Sequence, residues 1–244
     1  MKTETIISRN AVAIKNMFAG VARRYDLANR LMSLGRDPFW RMALARRVKI
    51  IDRPGRLLDL ASGTGDQIVA IKKLFPNLAV TGLDLSAPMM ELAAPKLARL
   101  APPKPEMVVG DALALPFDDN GFDSVSISFG LRNIPDRAAL YKETLRVLKP
   151  GGRFLILEMY HDRDAVLAPV VNYYLRNIVP FLGGRIISRE REAYHYLISS
   201  ILAFPKPEKI IEEMGQAGFE DLAFSTYTFS TVMLVRGHKK TAHE

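Results

Sequence analysis

From residue 56 onward, short apolar runs alternate with stretches in which apolar residues recur at helical spacing. The runs predict strands near residues 56–61, 78–84, 105–110, 122–128, 152–158, 221–226 and 229–236. The periodic stretches predict helices near 66–75, 88–99, 136–148 and 206–217. Strand and helix in turn argue for an α/β fold: a doubly wound, mostly parallel sheet of seven strands with helices on both faces. The last two strands leave no room for a crossover helix, so they should pair as an antiparallel C-terminal hairpin at the sheet edge.

Two segments depart from this rhythm. Residues 7–48 read as helical, with Met17, Phe18, Val21 and Tyr25 on one face. Asn29 to Gly35 and Pro38 interrupt the run, and Pro38 can open a new helix through Trp40 and Leu44. Residues 160–205 are rich in Val, Leu, Ile and Tyr, broken by Pro169, Pro180 and Gly183-Gly184. Such an insertion before the last helix–strand unit would lie above the carboxyl edge of the sheet. It reads as a lid with an apolar inner face, or as extra helices that thicken the core. The chain thus divides into an N-terminal helical segment on the lid side, 1–52, and an α/β domain, 53–244, carrying the insertion 160–205.

The chemistry concentrates in LLDLASGTGD, Leu57 to Asp66. Asp59 closes a buried strand, Gly63 and Gly65 permit a tight turn close to a ligand, and Asp66 stands at a helix start. A second strand ends in Asp84, 21 residues after Gly63, the spacing at which a carboxylate can accept from a ribose diol. A dinucleotide fingerprint would place a third glycine where Ile68 stands, and the carboxylate after Gly65 would repel a pyrophosphate. The same acid suits a ligand with a cationic amino group, a ribose and no phosphate. S-adenosyl-L-methionine meets that description better than NAD does.

Composition narrows the chemistry further. The 244 residues are 48% hydrophobic, enough for a core, and contain no cysteine. Disulfides, thiolate ligands and cysteine nucleophiles are therefore excluded. Four histidines show no ligand spacing, so no metal is expected. No secretory signal or membrane-length apolar run is visible, which suggests the cytoplasm. The net charge of +8 is uneven: residues 1–56 hold 3 Lys and 10 Arg against 4 acids. That bias suits an anionic partner, either nucleic acid or lipid headgroups, or is simply a solvated helical face.

The motifs DLASGTGD, GLDLS, GDALALPFDDNGFDSVSISFGLRNI and LRVLKPGGRFLILE occur in one order. This succession resembles class I S-adenosylmethionine-dependent methyltransferases, a Rossmann-like fold. Tyr25-Asp26 with Asn29, then Ser33, Gly35 and Trp40, is similar to the N-terminal signature of the ubiquinone/menaquinone C-methyltransferases. So are SFGLRN at Ser128 to Asn133, and Tyr194, Tyr196, Leu197, Ser200 and Ile201 in the insertion. The resemblance covers roughly residues 12 to 238. It departs at Asp37-Pro38, where the family usually has His-Arg, at Arg30, and after Glu158.

The resemblance implies that Gly63, Thr64 and Gly65 line the methionine end of the cofactor. Asp59 or Asp66 would face its amino group, directly or through water. Asp84 would hold the ribose hydroxyls and Leu85 would pack on the adenine. Asp111 would accept from the adenine amino group, with Ala112 beside it, and Ser128 would contact the methionine part. Local alternatives remain: a cap or turn acid for Asp84, a turn with Gly110 for Asp111, and turn stabilisation for Thr64.

The implied reaction is C-methylation of a reduced prenylated quinone, either demethylmenaquinol or a 2-polyprenyl-6-methoxy-benzoquinol. Loss of a phenolic proton would activate the ring carbon. Arg132 could stabilise a developing phenolate, or form a salt bridge anchoring the Asn133 turn. Tyr194 is the second catalytic candidate; Asp37, His161 and His195 are further candidate bases. Tyr25, Trp40 and Asn133 would bind substrate, the two aromatic rings having core packing as the alternative. An isoprenoid tail would bring the enzyme to an anionic membrane surface, peripherally, at the inner face of the cytoplasmic membrane. A homo-oligomer stays open. Competing readings are a phospholipid or other small-molecule N-methyltransferase and a non-catalytic cofactor- or isoprenoid-binding protein. An RNA methyltransferase lacks support: no RNA-binding module is visible, and no nucleic acid is expected.

Overall fold

A computed structural model describes residues 29–30, 33–179 and 191–241, without the side chains of 191–195. Seven strands form one sheet: β1 (Arg56–Leu60), β2 (Ala79–Asp84), β3 (Glu106–Val109), β4 (Phe122–Ser128), β5 (Leu148–Met159), β6 (Phe219–Tyr227) and β7 (Val232–Lys239). Their order is β3-β2-β1-β4-β5-β7-β6. The first five strands run parallel, and β7 is antiparallel to both β5 and β6. The expected hairpin is present, with β6 as the edge and β7 inside it.

The order in which strands are added reverses between β1 and β4, so the crevice beyond their carboxyl ends is the switch point where such sheets bind ligands. The strands read as nearly continuous apolar runs because both faces are covered. Leu58, Leu60, Phe154 and Ile156 face one layer, made by α4 (Arg137–Val147) and α7 (Pro207–Ala217). On the other side Leu57 meets α2 (Asp66–Leu74) and α3 (Ala87–Leu97), while Leu155 and Leu157 meet α1 (Asp37–Ala45). Helix α1 opens on Pro38, as its sequence anticipates.

The insertion carries α5 (Ala168–Tyr173), continued by a wider π-helical turn through Ile178, and α6 (Arg191–Ala203). Leu175, Val179, Ile198 and Ile201 bury one another in a small cluster, with Met159 at the end of β5 packed against it.

Two strand boundaries need correction. The last strand begins at Val232, three residues later than the apolar pattern gave. Thr228, Phe229 and Ser230 all take left-handed φ, so this stretch is the turn itself and Phe229 is exposed at its tip. Strand β5 begins earlier than expected, at Leu148. It tolerates Pro150 and Gly151 because the register with β4 shifts there: Phe122 faces Leu148 and Ser124 faces Arg153.

Candidate active site

The loop after β1 is a tight turn in which the Gly65 amide donates to Ser62 O at 2.9 Å. Gly63 (φ 52°) and Gly65 (φ 79°) both sit in the left-handed region, where a side chain is strained. A Cβ on Gly65 would stand 3.1 Å from Leu97 Cδ2, so the loop also packs closely on α3. Helix α2 follows at once, its free amide ends directed toward the loop.

Asp84 ends β2 beside this loop. Its Oδ2 accepts from the Gly63 amide at 2.8 Å and its Oδ1 from the Ser86 amide at 2.8 Å. Each oxygen keeps a further lone pair for a ligand hydroxyl. Burial raises the Asp84 carboxyl above its ordinary range, against the pull of these amides. Leu85, next in the chain, is partly exposed and so open to a flat apolar ring. Beyond β3, Ala112 is buried, while Asp111 is exposed and accepts from the Leu113 amide at 2.9 Å in a local turn.

The two acids left open for an amino group have different surroundings. Asp66 is ion-paired with Lys96 of α3. Asp59 is buried and accepts from Ser126 Oγ at 2.6 Å. Burial pushes its carboxyl up to about 7, opposed by the Ser126 hydrogen bond and the positive charge of Arg41. A carboxyl in that condition gains from an incoming cation. Ser128, at the end of β4, donates to Gln67 Oε1 at 3.0 Å, and Gln67 donates to Arg41 O at 3.2 Å. Thr64 is buried in the glycine turn.

On the other side of the crevice, the turn Leu131–Asn133 follows β4. Arg132 is bound to Glu158 of β5, Nη1 to Oε1 at 2.5 Å, and its backbone amide donates to Oε2 at 3.1 Å. This is the salt bridge that anchors the Asn133 turn. Helix α6 of the insertion reaches the same turn: Tyr196 Oη donates to Asn133 Oδ1 at 3.1 Å. Burial pushes the Tyr196 phenol up, with Arg132 pulling it down. His161, just past β5, is buried, and that burial lowers its imidazole pKa.

Trp40 is packed as a core residue. It is 2% exposed, its indole N–H donates to Thr228 Oγ1 at 3.0 Å, and its ring meets Phe129 edge-on. Tyr25 and the Tyr194 side chain lie outside the described residues, as does the side chain of His195. Asp37 is ion-paired with Arg41. Among the described residues there is no cluster of three metal-ligating side chains. No helix among them is long and apolar enough to cross a membrane.

The sequence pattern did not point to Arg41 or Gln67 as parts of the site, and carried Ser126, Glu158 and Tyr196 only as motif residues. Arg41 and Gln67 carried no sequence signal of their own. They enter through neighbours distant in the chain.

The sheet order, the glycine turn at the switch point and the ribose-spaced acid define a class I methyltransferase. A crystal structure of a Thermotoga maritima SAM-dependent methyltransferase shares the fold, with a TM-score of 0.63 at 19% identity over 92% of this chain and 100% of that one. The profile of the ubiE/COQ5 methyltransferase family matches residues 6–239, and the chain belongs to that family. It is 39% identical, over 91% of its length and 93% of the relative's, to the demethylmenaquinone methyltransferase of Thermotoga maritima. It is 38% identical, over 93% and 88%, to the ubiquinone/menaquinone biosynthesis C-methyltransferase UbiE of Geobacter sulfurreducens.

Proposed function

We propose that this enzyme methylates a ring carbon of a reduced prenylated quinone precursor, demethylmenaquinol or a 2-polyprenyl-6-methoxy-benzoquinol, with S-adenosylmethionine as methyl donor. The observation that carries the reading is similarity over 91% and 93% of the chain to relatives named for demethylmenaquinone methylation and for ubiquinone/menaquinone biosynthesis, joined to a site whose acids suit a cationic nucleoside. The cofactor supplies an electrophilic methyl group on sulfur. Asp84 holds the ribose diol with the lone pairs its amide donors leave over. Asp59 balances the amino group, the glycine turn shapes the methionine end, and Ala112 and Leu85 flank the adenine.

The acceptor ring lies between the Leu131–Asn133 turn and α6. Withdrawal of a phenolic proton makes the ring carbon nucleophilic, and the Arg132 charge, partly offset by its ion pair with Glu158, stabilises the resulting oxyanion electrostatically. Transfer of the methyl group from sulfur to carbon would leave a ring carbon bearing both hydrogen and methyl; its proton would pass to solvent and the phenolate oxygen would regain one, so that one proton is released per transfer. Tyr196 and Asn133 orient the ring hydroxyl by hydrogen bonds.

The prenyl tail places the reaction at a membrane surface. Val166, in the turn before α5, and Val170 and Tyr173 on α5 are exposed, with Arg163 and Arg176 exposed on either side of them in the chain. Those side chains support peripheral insertion, and the basic first segment supports attraction to anionic lipid. Co-sedimentation with vesicles should strengthen with anionic lipid content; binding indifferent to that content refutes the docking proposal.

The deciding experiment supplies labelled S-adenosylmethionine with each reduced quinol, and with the oxidised quinones as controls. Methyl transfer to carbon of a quinol alone supports the reading and names the ring. Intact cofactor binding with no transfer to either quinol refutes it and favours an amine acceptor or a binding role.

A further inference from the structure

Arg41 of α1 lies close to the start of α2, and most of its side-chain donors have no partner among the described residues. The residue is 8% exposed. Its Nε is bound to both oxygens of Asp37, at 3.0 and 3.1 Å, and its guanidinium lies over the Phe129 ring, 5.0 Å from the centroid. The backbone is held as well, since Arg41 O accepts from Gln67 at the start of α2. Plane and position are therefore fixed on three sides. Yet neither Nη1 nor Nη2 has a hydrogen-bond acceptor among the described residues. Both Nη atoms keep some contact with solvent, so their four N–H donors stay open to a ligand.

We propose that Arg41 binds the carboxylate of the cofactor's amino-acid end, and that Asp37 is the positioning residue that aims it. The proposal rests on the cofactor reading above. That end of S-adenosylmethionine is a zwitterion, with ammonium and carboxylate on one carbon. Asp59, close enough to feel the Arg41 charge, offers the anionic pole and Arg41 the cationic one. A guanidinium fork matches a carboxylate in two parallel hydrogen bonds, which an ammonium cannot do. Asp37 accepts through Nε and leaves the Nη edge for the ligand. The Asp37-Pro38 departure noted in the sequence thereby acquires a role: it supplies the counter-charge one helical turn before Arg41.

The test is equilibrium binding by calorimetry, without acceptor substrate, of S-adenosylmethionine and of its decarboxylated analogue. Wild type should prefer the intact cofactor. Arg41→Gln should weaken the intact cofactor about 10- to 100-fold, while the decarboxylated analogue changes by less than about threefold. Asp37→Asn should erode the same preference by about threefold to tenfold, an effect that general loosening of α1 does not produce. Equal weakening of both ligands by Arg41→Gln overturns the proposal. Should that variant fail to fold, Arg41→Lys keeps the charge and loses the fork; an unchanged preference there overturns it equally. Wild type that binds neither ligand removes the cofactor reading itself. Wild type that binds both without preference removes the Arg41 proposal alone.

Discussion

Arg132 and Glu158 form an ion pair at the carboxyl edge of the sheet with side chains 4% and 0% exposed. Glu158 also accepts from the amides of Arg132 and Met159, so one carboxylate holds the turn after β4 against the end of β5. Replacing Glu158 with alanine leaves the guanidinium buried without its counter-ion. Loss of about 3–5 kcal/mol is expected in urea unfolding. A change below about 1 kcal/mol would show that the turn stands without the pair.

Tyr196 links α6 to that turn through one hydrogen bond to Asn133. Tyr196→Phe keeps the packing and removes the bond. Stability should fall by about 1 kcal/mol. Turnover should fall about tenfold with cofactor affinity unchanged, because the lost contact orients the acceptor side only. Steady-state kinetics beside cofactor titration checks this; an equal drop in cofactor affinity would contradict it.

Asp59 gives a pH dependence with a defined sign. Its folded pKa of about 7 lies above the ordinary value of 3.8. Below 3.8 both folded and unfolded states are protonated. As pH rises toward 7 only the unfolded state ionises, so stability is lost across that window, by on the order of 4 kcal/mol. Asp59→Asn should therefore gain on wild type from pH 4 to 7 and hold its lead above it. Thermal melts of both proteins across pH measure the difference, and parallel curves would refute the assignment.

Cofactor binding should run the other way. An ammonium group favours the ionised Asp59, so affinity should tighten as pH rises through about 7, with proton release on binding below it. Calorimetry at pH 6 in buffers of different ionisation enthalpy reads the proton directly. Heats that do not vary with buffer would count against Asp59 as the partner.

Gly65 is required by both dihedral and space. Gly65→Ala forces a side chain into φ 79° and within 3.1 Å of Leu97. A stability loss of about 1–2 kcal/mol is expected, together with weaker cofactor binding. A variant that melts and binds as wild type does would mean the loop relaxes without cost.

The sheet and its layers were legible because buried strands and amphipathic helices have different periods, 2 or continuous against 3.6. Even the antiparallel hairpin followed from the short connection between the last two strands. The Thr228–Ser230 turn was not legible, since its left-handed backbone carries no glycine to announce it.

The sequence by itself determined the alternation of elements, the glycine turn and the acid 21 residues further on, because these depend on local dihedrals and on spacing within one βαβ unit. The tertiary structure alone decided what surrounds Asp59 and Arg132. Ser126 faces Asp59 because β4 lies beside β1, across 67 residues of chain. Glu158 meets Arg132 because β5 lies beside β4. Arg41 reaches the crevice because α1 folds back onto β5 and α2. Strand adjacency and helix docking are set by burial summed over the whole core, which no local pattern encodes.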